Sequence, residues 1–122
     1  MKELLLVCIG SFFGGGTRYL VGKAMQSCEW LPAFPWGTMT VNILGCFLIG
    51  LLSGMSLGGQ ISPATKLVLV TGFCGGFTTF STFMNENLLL GRDGAMLSAV
   101  FYTLASLALG LLAVVIGYQL VK

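Results

Sequence analysis

Four long apolar runs, separated by short polar breaks, constrain this sequence more than any other feature. The runs cover about residues 4–25, 36–57, 64–90 and 95–121. The breaks between them are rich in Gly, Pro and charged residues, which commonly mark loops and helix ends. A membrane-spanning helix needs about 20 mostly apolar residues. Each run therefore predicts one spanning helix, and 122 residues leave room for four spans but not for six.

The composition agrees with a membrane protein and excludes several other classes. Only 8% of the residues are charged and 56% are hydrophobic, whereas soluble domains carry about 25% charged residues. We therefore predict an all-α membrane protein in which residues 1–122 form one four-helix transmembrane domain. The net charge of +2 gives no basic surface for nucleic acid. The lack of His and of a P-loop motif excludes His-based catalysis and a nucleotide-driven pump.

The basic residues do not indicate an orientation in the membrane. With an even number of spans, both ends of the chain lie on one side. The basic residues divide almost evenly between the sides, with Lys2, Lys66 and Lys122 on one and Lys23, Arg92 and nearby Arg18 on the other. Cytoplasmic loops normally carry an excess of Lys and Arg. Two interpretations therefore remain open: one weakly biased topology, or dual topology with antiparallel pairing of copies.

A four-helix chain is too small to enclose a pore alone, so an oligomer is expected. Small residues spaced four apart allow two helices to approach closely in a membrane. The sequence has three such steps, at Gly10–Gly14, Gly50–Gly54 and Gly72–Gly76. These steps predict helix-packing faces, although glycine is common in membrane helices generally.

The third run is a poor helix at its centre. Residues 71–83 read TGFCGGFTTFSTF, with three Gly and four Thr, and both residue types disfavour helix. We expect a break at midspan around Gly75 and Gly76. A break at membrane depth is tolerated only where it is buried in protein or lines a cavity, and transporters use such backbone to hold ions. The alternative is a continuous helix with Thr hydroxyls bonded to their own backbone.

Two phenylalanines follow the predicted break. Phe80 and Phe83 are three residues apart and share a helix face. Aromatic pairs at this spacing usually pack in a core. An aromatic ring also has a positive edge, which can contact an anion that has lost part of its water.

Polar side chains on several spans add hydrogen-bond donors. Asn42, within the second span, either donates into a pore or bonds a neighbouring helix. Tyr102 and Ser106 share a face of the fourth span. The predicted donor track comprises Thr38, Asn42, Thr82, Tyr102 and Ser106. Arg18 either reaches the headgroups or concentrates anions at a vestibule.

Donors suit anions, so the residues themselves indicate a passive channel for a small ion, favouring an anion. Proton-coupled exchange usually needs an acid at depth, and the sequence places none convincingly there. Glu86, toward the far end of the third span, receives no assignment from the sequence.

Three stretches together resemble the Fluc/CrcB family of fluoride channels. They are GGGTR at 14–18, GTMTVNILG at 37–45 and the TGFCGGFTTFSTF stretch at 71–83. The resemblance implies a channel, not an enzyme, that exports fluoride passively across the bacterial plasma (inner) membrane and lowers its toxicity. It also implies an antiparallel, dual-topology homodimer in the lipid bilayer, with two pores.

The resemblance further implies roles for individual residues. The pore residues would be Phe80, Phe83, Asn42, Tyr102, Ser106 and Thr82, with Arg18 in the vestibule. A structural Na⁺ at the dimer interface, bound but not transported, would be held by the backbone carbonyls of Gly75 and Thr78 from both copies.

Two other functions remain as alternatives. A small multidrug-type, proton-coupled transporter would need a carboxylate within the first span, where the sequence has only Glu3 at the extreme end. A scaffold protein without transport would explain the glycine faces but not the polar residues at midspan.

Overall fold

A computed structural model describes residues 1–26 and 34–121. Within these residues, four helices are long and apolar enough to cross a membrane. This confirms the prediction of an all-α protein with four potential spans. Three of the spans are single helices, namely α1 (Lys2–Gln26), α2 (Trp36–Leu57) and α6 (Met96–Val121). Lys122, counted above among the basic residues, lies outside the described residues.

The third span is assembled from several segments. They are α3 (Pro63–Lys66), a π-helical segment (Leu67–Cys74), α4 (Gly75–Phe77) and α5 (Ser81–Arg92). The first segment begins where the Ser62 hydroxyl accepts the backbone N–H of Thr65 at 3.1 Å, a typical N-cap. Pro63 occupies the first helical turn, where its missing N–H costs nothing.

Regular helix stops between α4 and α5. Thr78 adopts extended dihedral angles, with φ −95° and ψ 160°, and residues 78–80 lie outside both helices. Gly75 and Gly76, where we expected the break, are instead helical within α4. The non-helical residues therefore begin two positions after the glycine pair, at the threonines.

Glycines set how closely the helices approach. Helix α1 packs along the π-helical segment and α4, while α2 packs along α6. A methyl group on Gly10 of α1 would overlap the Val68 carbonyl oxygen, and one on Gly50 of α2 would overlap the Val114 carbonyl oxygen. The small-residue steps are therefore used for packing within one chain.

Replacing Gly50 by alanine should destabilise the fold by about 1–3 kcal/mol, the usual cost of overpacking. The added methyl group meets backbone of α6, which cannot move aside as a flexible side chain does. The matched control is Gly16→Ala, because nothing lies within 4 Å of a methyl group at that position. Thermal unfolding in detergent, followed by circular dichroism, measures both. Equal midpoints for the two variants would contradict this packing.

The core lies between α2, α5 and α6. Its buried members are Phe34, Met39, Phe83, Leu90, Ala99 and Tyr102. Helix α5 joins this core by packing on α6. The core therefore fixes α5, and with it the residues that follow the non-helical stretch.

Candidate functional site

The non-helical stretch is held by the side-chain amide of Asn42 in α2. The Asn42 Oδ1 atom accepts the backbone N–H of Thr79 at 2.8 Å, and Nδ2 donates to the Thr79 carbonyl at 3.0 Å. One side chain thus supplies both hydrogen-bond partners that a helix would have given to this residue. Asn42 was predicted as a pore amide. Its oxygen and one of its two N–H groups are bonded to the backbone of Thr79, so the second N–H can donate to another acceptor.

Threonine hydroxyls bond backbone groups on both sides of this stretch. The Thr78 hydroxyl donates at 2.8 Å to the Cys74 carbonyl, which also accepts the Thr78 backbone N–H at 3.0 Å. The Thr79 hydroxyl accepts the backbone N–H of Thr82 at 3.3 Å, at the start of α5. One threonine that disfavours helix therefore caps the start of α5, while the other bonds back one turn to the carbonyl that precedes α4. Thr82, predicted as a track residue, contributes its backbone N–H to this cap.

Helix α1 satisfies carbonyls on the first half of the third span. The Arg18 Nε atom donates to the Gly76 carbonyl at 3.1 Å, and the Ser11 hydroxyl donates to the Gly72 carbonyl at 3.3 Å. Carbonyls at the end of a helical segment carry partial negative charge, which a cation stabilises. Arg18, predicted as a vestibule residue, is half-buried with its guanidinium beside the end of α4.

Phe80 and Phe83 lie next to each other but in different environments. Their ring centroids are 6.1 Å apart and the rings are inclined by 59°. Phe83 is only 5% exposed and belongs to the core, whereas Phe80 is 71% exposed. One ring of the predicted pore pair is thus buried in the core of the chain, while the other lies on its outer surface.

A carboxylate that the sequence did not assign joins three helices. Glu86 of α5 accepts the Tyr102 hydroxyl of α6 at 2.8 Å through Oε1. Its other oxygen, Oε2, accepts the Thr38 hydroxyl of α2 at 3.0 Å. Tyr102 has no exposed surface, and its ring packs edge-on against Phe83 with centroids 4.9 Å apart. Sequence spacing offered one signal, since Glu86 is three residues after Phe83 and so shares its helix face.

A second polar pair on the same two helices was also missed. The Thr103 hydroxyl of α6 donates to Asn87 Oδ1 at 3.0 Å, and Asn87 Nδ2 donates to the Phe83 carbonyl at 3.1 Å. Because Asn87 and Thr103 follow Glu86 and Tyr102 directly, two adjacent hydrogen bonds brace α5 against α6 at the level of Phe83.

Ser106 lies one helical turn beyond Tyr102. Its hydroxyl oxygen is buried and has no hydrogen-bond partner among the described residues. Buried polar atoms in proteins are nearly always satisfied. The unpaired hydroxyl of Ser106 is therefore available to a ligand or to water, unlike that of Tyr102.

The two predicted sodium ligands lie at the ends of α4, with Gly75 as its first residue and Thr78 directly after its last. Gly75 is exposed, and nothing lies within 4 Å of a methyl group placed on it. Thr78 is half-buried. Among residues 1–26 and 34–121, no cluster of three or more His, Cys, Asp or Glu is placed to hold a metal.

The fold and the site together define a class of protein. Four helices are apolar and of membrane-spanning length, and side chains of two of them, α1 and α2, bond backbone groups of the interrupted third span. This is the arrangement of a multi-pass α-helical membrane protein.

Comparison with known proteins identifies the family. A family model described as CrcB-like protein, Camphor Resistance (CrcB), matches residues 5–118, and the chain belongs to this family. The resemblance predicted from the three sequence stretches is thereby confirmed.

Several curated relatives match over nearly their whole length, and each carries the name Fluoride-specific ion channel FluC. The relative from Chlorobium chlorochromatii (strain CaD3) is 49% identical over 116 residues, which cover 94% of this chain and 88% of the relative. The relative from Chlorobium phaeobacteroides (strain BS1) is 45% identical over 120 residues, covering 98% and 92%. The relative from Bacteroides fragilis is also 45% identical over 120 residues, covering 96% and 94%.

Proposed function

We propose that this protein is a passive, fluoride-selective channel that lets fluoride leave the bacterial cytoplasm across the inner membrane and so lowers its toxicity. The observation that carries this proposal is the non-helical stretch, which ends at Phe80 and is followed by Phe83, with donor groups around it. The printed names of the relatives support fluoride as the ion. A passive channel needs no energy source, in agreement with a sequence that has no nucleotide-binding motif.

The donor groups match the energetic demand of moving a small anion. Removing such an ion fully from water costs about 20 kcal/mol in an idealised estimate, and each hydrogen bond to a charge returns about 1.5–3 kcal/mol. A few donors therefore suffice only if some water and a positive field remain. The free N–H of Asn42, the hydroxyl of Ser106 and the positive ring edges of Phe80 and Phe83 supply the donors. Arg18 supplies the field.

The strength of binding is also suited to conduction. Ions must bind weakly at several sites to leave as readily as they enter. Arg18 is tied to the Gly76 carbonyl, which places its charge beside the path without closing around the ion. Glu86 binds the hydroxyls of Thr38 and Tyr102 and thereby positions the helices that carry the rings.

The outer face of the third span supports a dimer. Thr71, Gly75, Phe80 and Ser81 are all exposed on the single chain, and they lie on a span whose backbone is not helical at residues 78–80. Irregular backbone at membrane depth is not tolerated against lipid. A second copy would cover this face, and the even division of basic residues favours an antiparallel, dual-topology pair. Such a homodimer of single-domain chains would contain two equivalent pores, each completed by both copies.

A structural Na⁺ fits the centre of this dimer in two respects. Gly75 leaves open space beside its backbone, and backbone carbonyl oxygens suit a hard cation. The carbonyls of Gly75 and Thr78 from both copies would hold the ion, which would fix the interface and stay bound while fluoride moves.

Replacing Na⁺ by the bulky cation N-methylglucamine, at constant ionic strength, should therefore weaken the dimer and lower fluoride efflux. The dimer fraction in detergent, measured by light scattering, is the first readout, and efflux from liposomes is the second. Restoring Na⁺ should recover both. Indifference of both quantities to the cation would remove the sodium site from this proposal.

The function is tested by anion efflux from liposomes that contain the purified protein, with fluoride and chloride electrodes read in parallel. Rapid loss of fluoride with chloride retained is the expected result. Loss of both anions would contradict the selectivity. Retention of both, together with proton-coupled uptake of a cationic dye, would favour the small multidrug-type transporter instead.

A further inference from the structure

Five aromatic rings in contact connect the non-helical stretch to the start of α2. In order they are Phe80, Phe83, Tyr102, Phe34 and Trp36, and we call them the aromatic series. The successive ring centroids are 6.1, 4.9, 5.4 and 4.5 Å apart. Neighbouring rings are inclined by at least 44°, so positive ring edges recur along the series.

The last ring of the aromatic series carries an unsatisfied donor. The indole Nε1 atom of Trp36 is buried and has no hydrogen-bond partner in the part of the chain that the structure describes. An indole N–H can donate but cannot accept. Leaving such a donor buried and unpaired is unfavourable. Its natural complement is an acceptor that reaches it from outside the protein, and an anion is the strongest such acceptor.

The other donors at this end of the series are already used. The hydroxyls of Thr38 and Tyr102 both donate to Glu86, so neither hydrogen is available to an ion. Of the three donors at this end of the series, the Trp36 indole N–H is the one that has no hydrogen-bond partner among the described residues. The two hydroxyls also offset part of the negative charge of Glu86, which reduces its repulsion of an approaching anion.

We infer that Trp36 is an anion-binding residue, whose indole N–H receives fluoride at the α2 end of the aromatic series. This inference rests on the proposed channel function and extends the path from the phenylalanine pair to the start of α2. The indole offers one hydrogen bond, so the ion binds there weakly and leaves readily.

Replacing Trp36 by phenylalanine removes the N–H and keeps an aromatic ring. We expect fluoride efflux from liposomes to fall by at least about tenfold, because a hydrogen bond to a charged group is lost. The control is Phe101→Leu, which removes a ring that packs on Phe34 from outside the aromatic series, leaves the indole in place, and should retain most of the efflux. An equal loss in both variants would assign the effect to packing and overturn the inference.

Binding is measured independently of transport and of any folding defect at position 36. The chain has two tryptophans, so Trp30→Phe leaves Trp36 as the sole indole fluorophore. Fluoride should shift its emission saturably, whereas chloride at the same ionic strength should not. N-acetyltryptophanamide in solution, titrated in parallel, corrects for quenching. Absence of a saturable shift would overturn the inference.

The outcomes separate this inference from the function on which it rests. Wild-type liposomes that retain fluoride would contradict the channel itself. Wild-type liposomes that release fluoride, with Trp36→Phe releasing it equally fast, would contradict only the role of the indole.

Discussion

Replacing Phe80 by isoleucine is expected to lower fluoride efflux by at least about tenfold, which corresponds to about 1.4 kcal/mol in the barrier. Isoleucine keeps an apolar side chain but has no positive ring edge to contact the ion. Phe80 is 71% exposed on the protomer, so the change opens no cavity in the core of that chain. Because isoleucine still presents an apolar side chain to a second copy, the dimer fraction in detergent should be kept while fluoride efflux from liposomes is lost.

Two further variants sharpen this prediction. Phe83→Ile should also lower efflux, but it should reduce stability as well, because Phe83 is 5% exposed and a smaller side chain leaves a cavity. Phe12→Ile is the control for exposure, since Phe12 is 75% exposed on α1 and lies outside the aromatic series. Wild-type efflux in both Phe80→Ile and Phe83→Ile would refute the assignment of these rings to the pore.

Replacing Asn42 by leucine is expected to destabilise the protein by about 2–6 kcal/mol and to abolish efflux. The change leaves the N–H and the carbonyl of Thr79 without their partners, and each unsatisfied buried group costs about 1–3 kcal/mol. Little water is present at this depth to replace the lost bonds. Unfolding in detergent, followed by circular dichroism, measures the stability of the variant, and liposomes measure its efflux.

Comparing several variants distinguishes two roles of Asn42. The amide either holds the backbone of the non-helical stretch or only donates a hydrogen bond to an ion in the pore. Asn42→Asp keeps the oxygen that accepts the Thr79 N–H but places a second, charged oxygen against the Thr79 carbonyl, so it should also destabilise the protein. Asn85→Leu makes the same chemical change at an exposed position of α5 and should leave stability unchanged. Wild-type stability in Asn42→Leu would show that the amide does not hold the non-helical stretch.

Hydropathy along the sequence was sufficient to predict the four helices. The run from about 36 to 57 predicted α2, which the structure gives as Trp36–Leu57. This success has a physical reason, since spanning helices satisfy their backbone internally and need only a long apolar stretch. The glycine steps also predicted helix packing correctly, because only a very small side chain lets two backbones approach as closely as they do at Gly10 and Gly50.

Hydropathy and helix propensity did not predict the position of the non-helical stretch. Helix propensity pointed to Gly75 and Gly76, yet both are helical and the stretch begins at Thr78. Glycine disfavours helix only by about 1 kcal/mol, less than the hydrogen bonds that Asn42 and the threonines make farther along. Tertiary partners therefore moved the helix end by two residues.

Composition, run length and motif spacing, all readable along the chain, determined the membrane class, the helix number and the family. Tertiary structure alone decided which polar groups meet. Asn42 and Thr79 are 37 residues apart in sequence, Thr38 and Glu86 are 48 apart, and Arg18 and Gly76 are 58 apart. It also decided that Phe83 is buried while Phe80 is exposed, and that the Trp36 indole has no partner among the described residues. Burial and pairing depend on which helices pack together, and no local pattern encodes that choice.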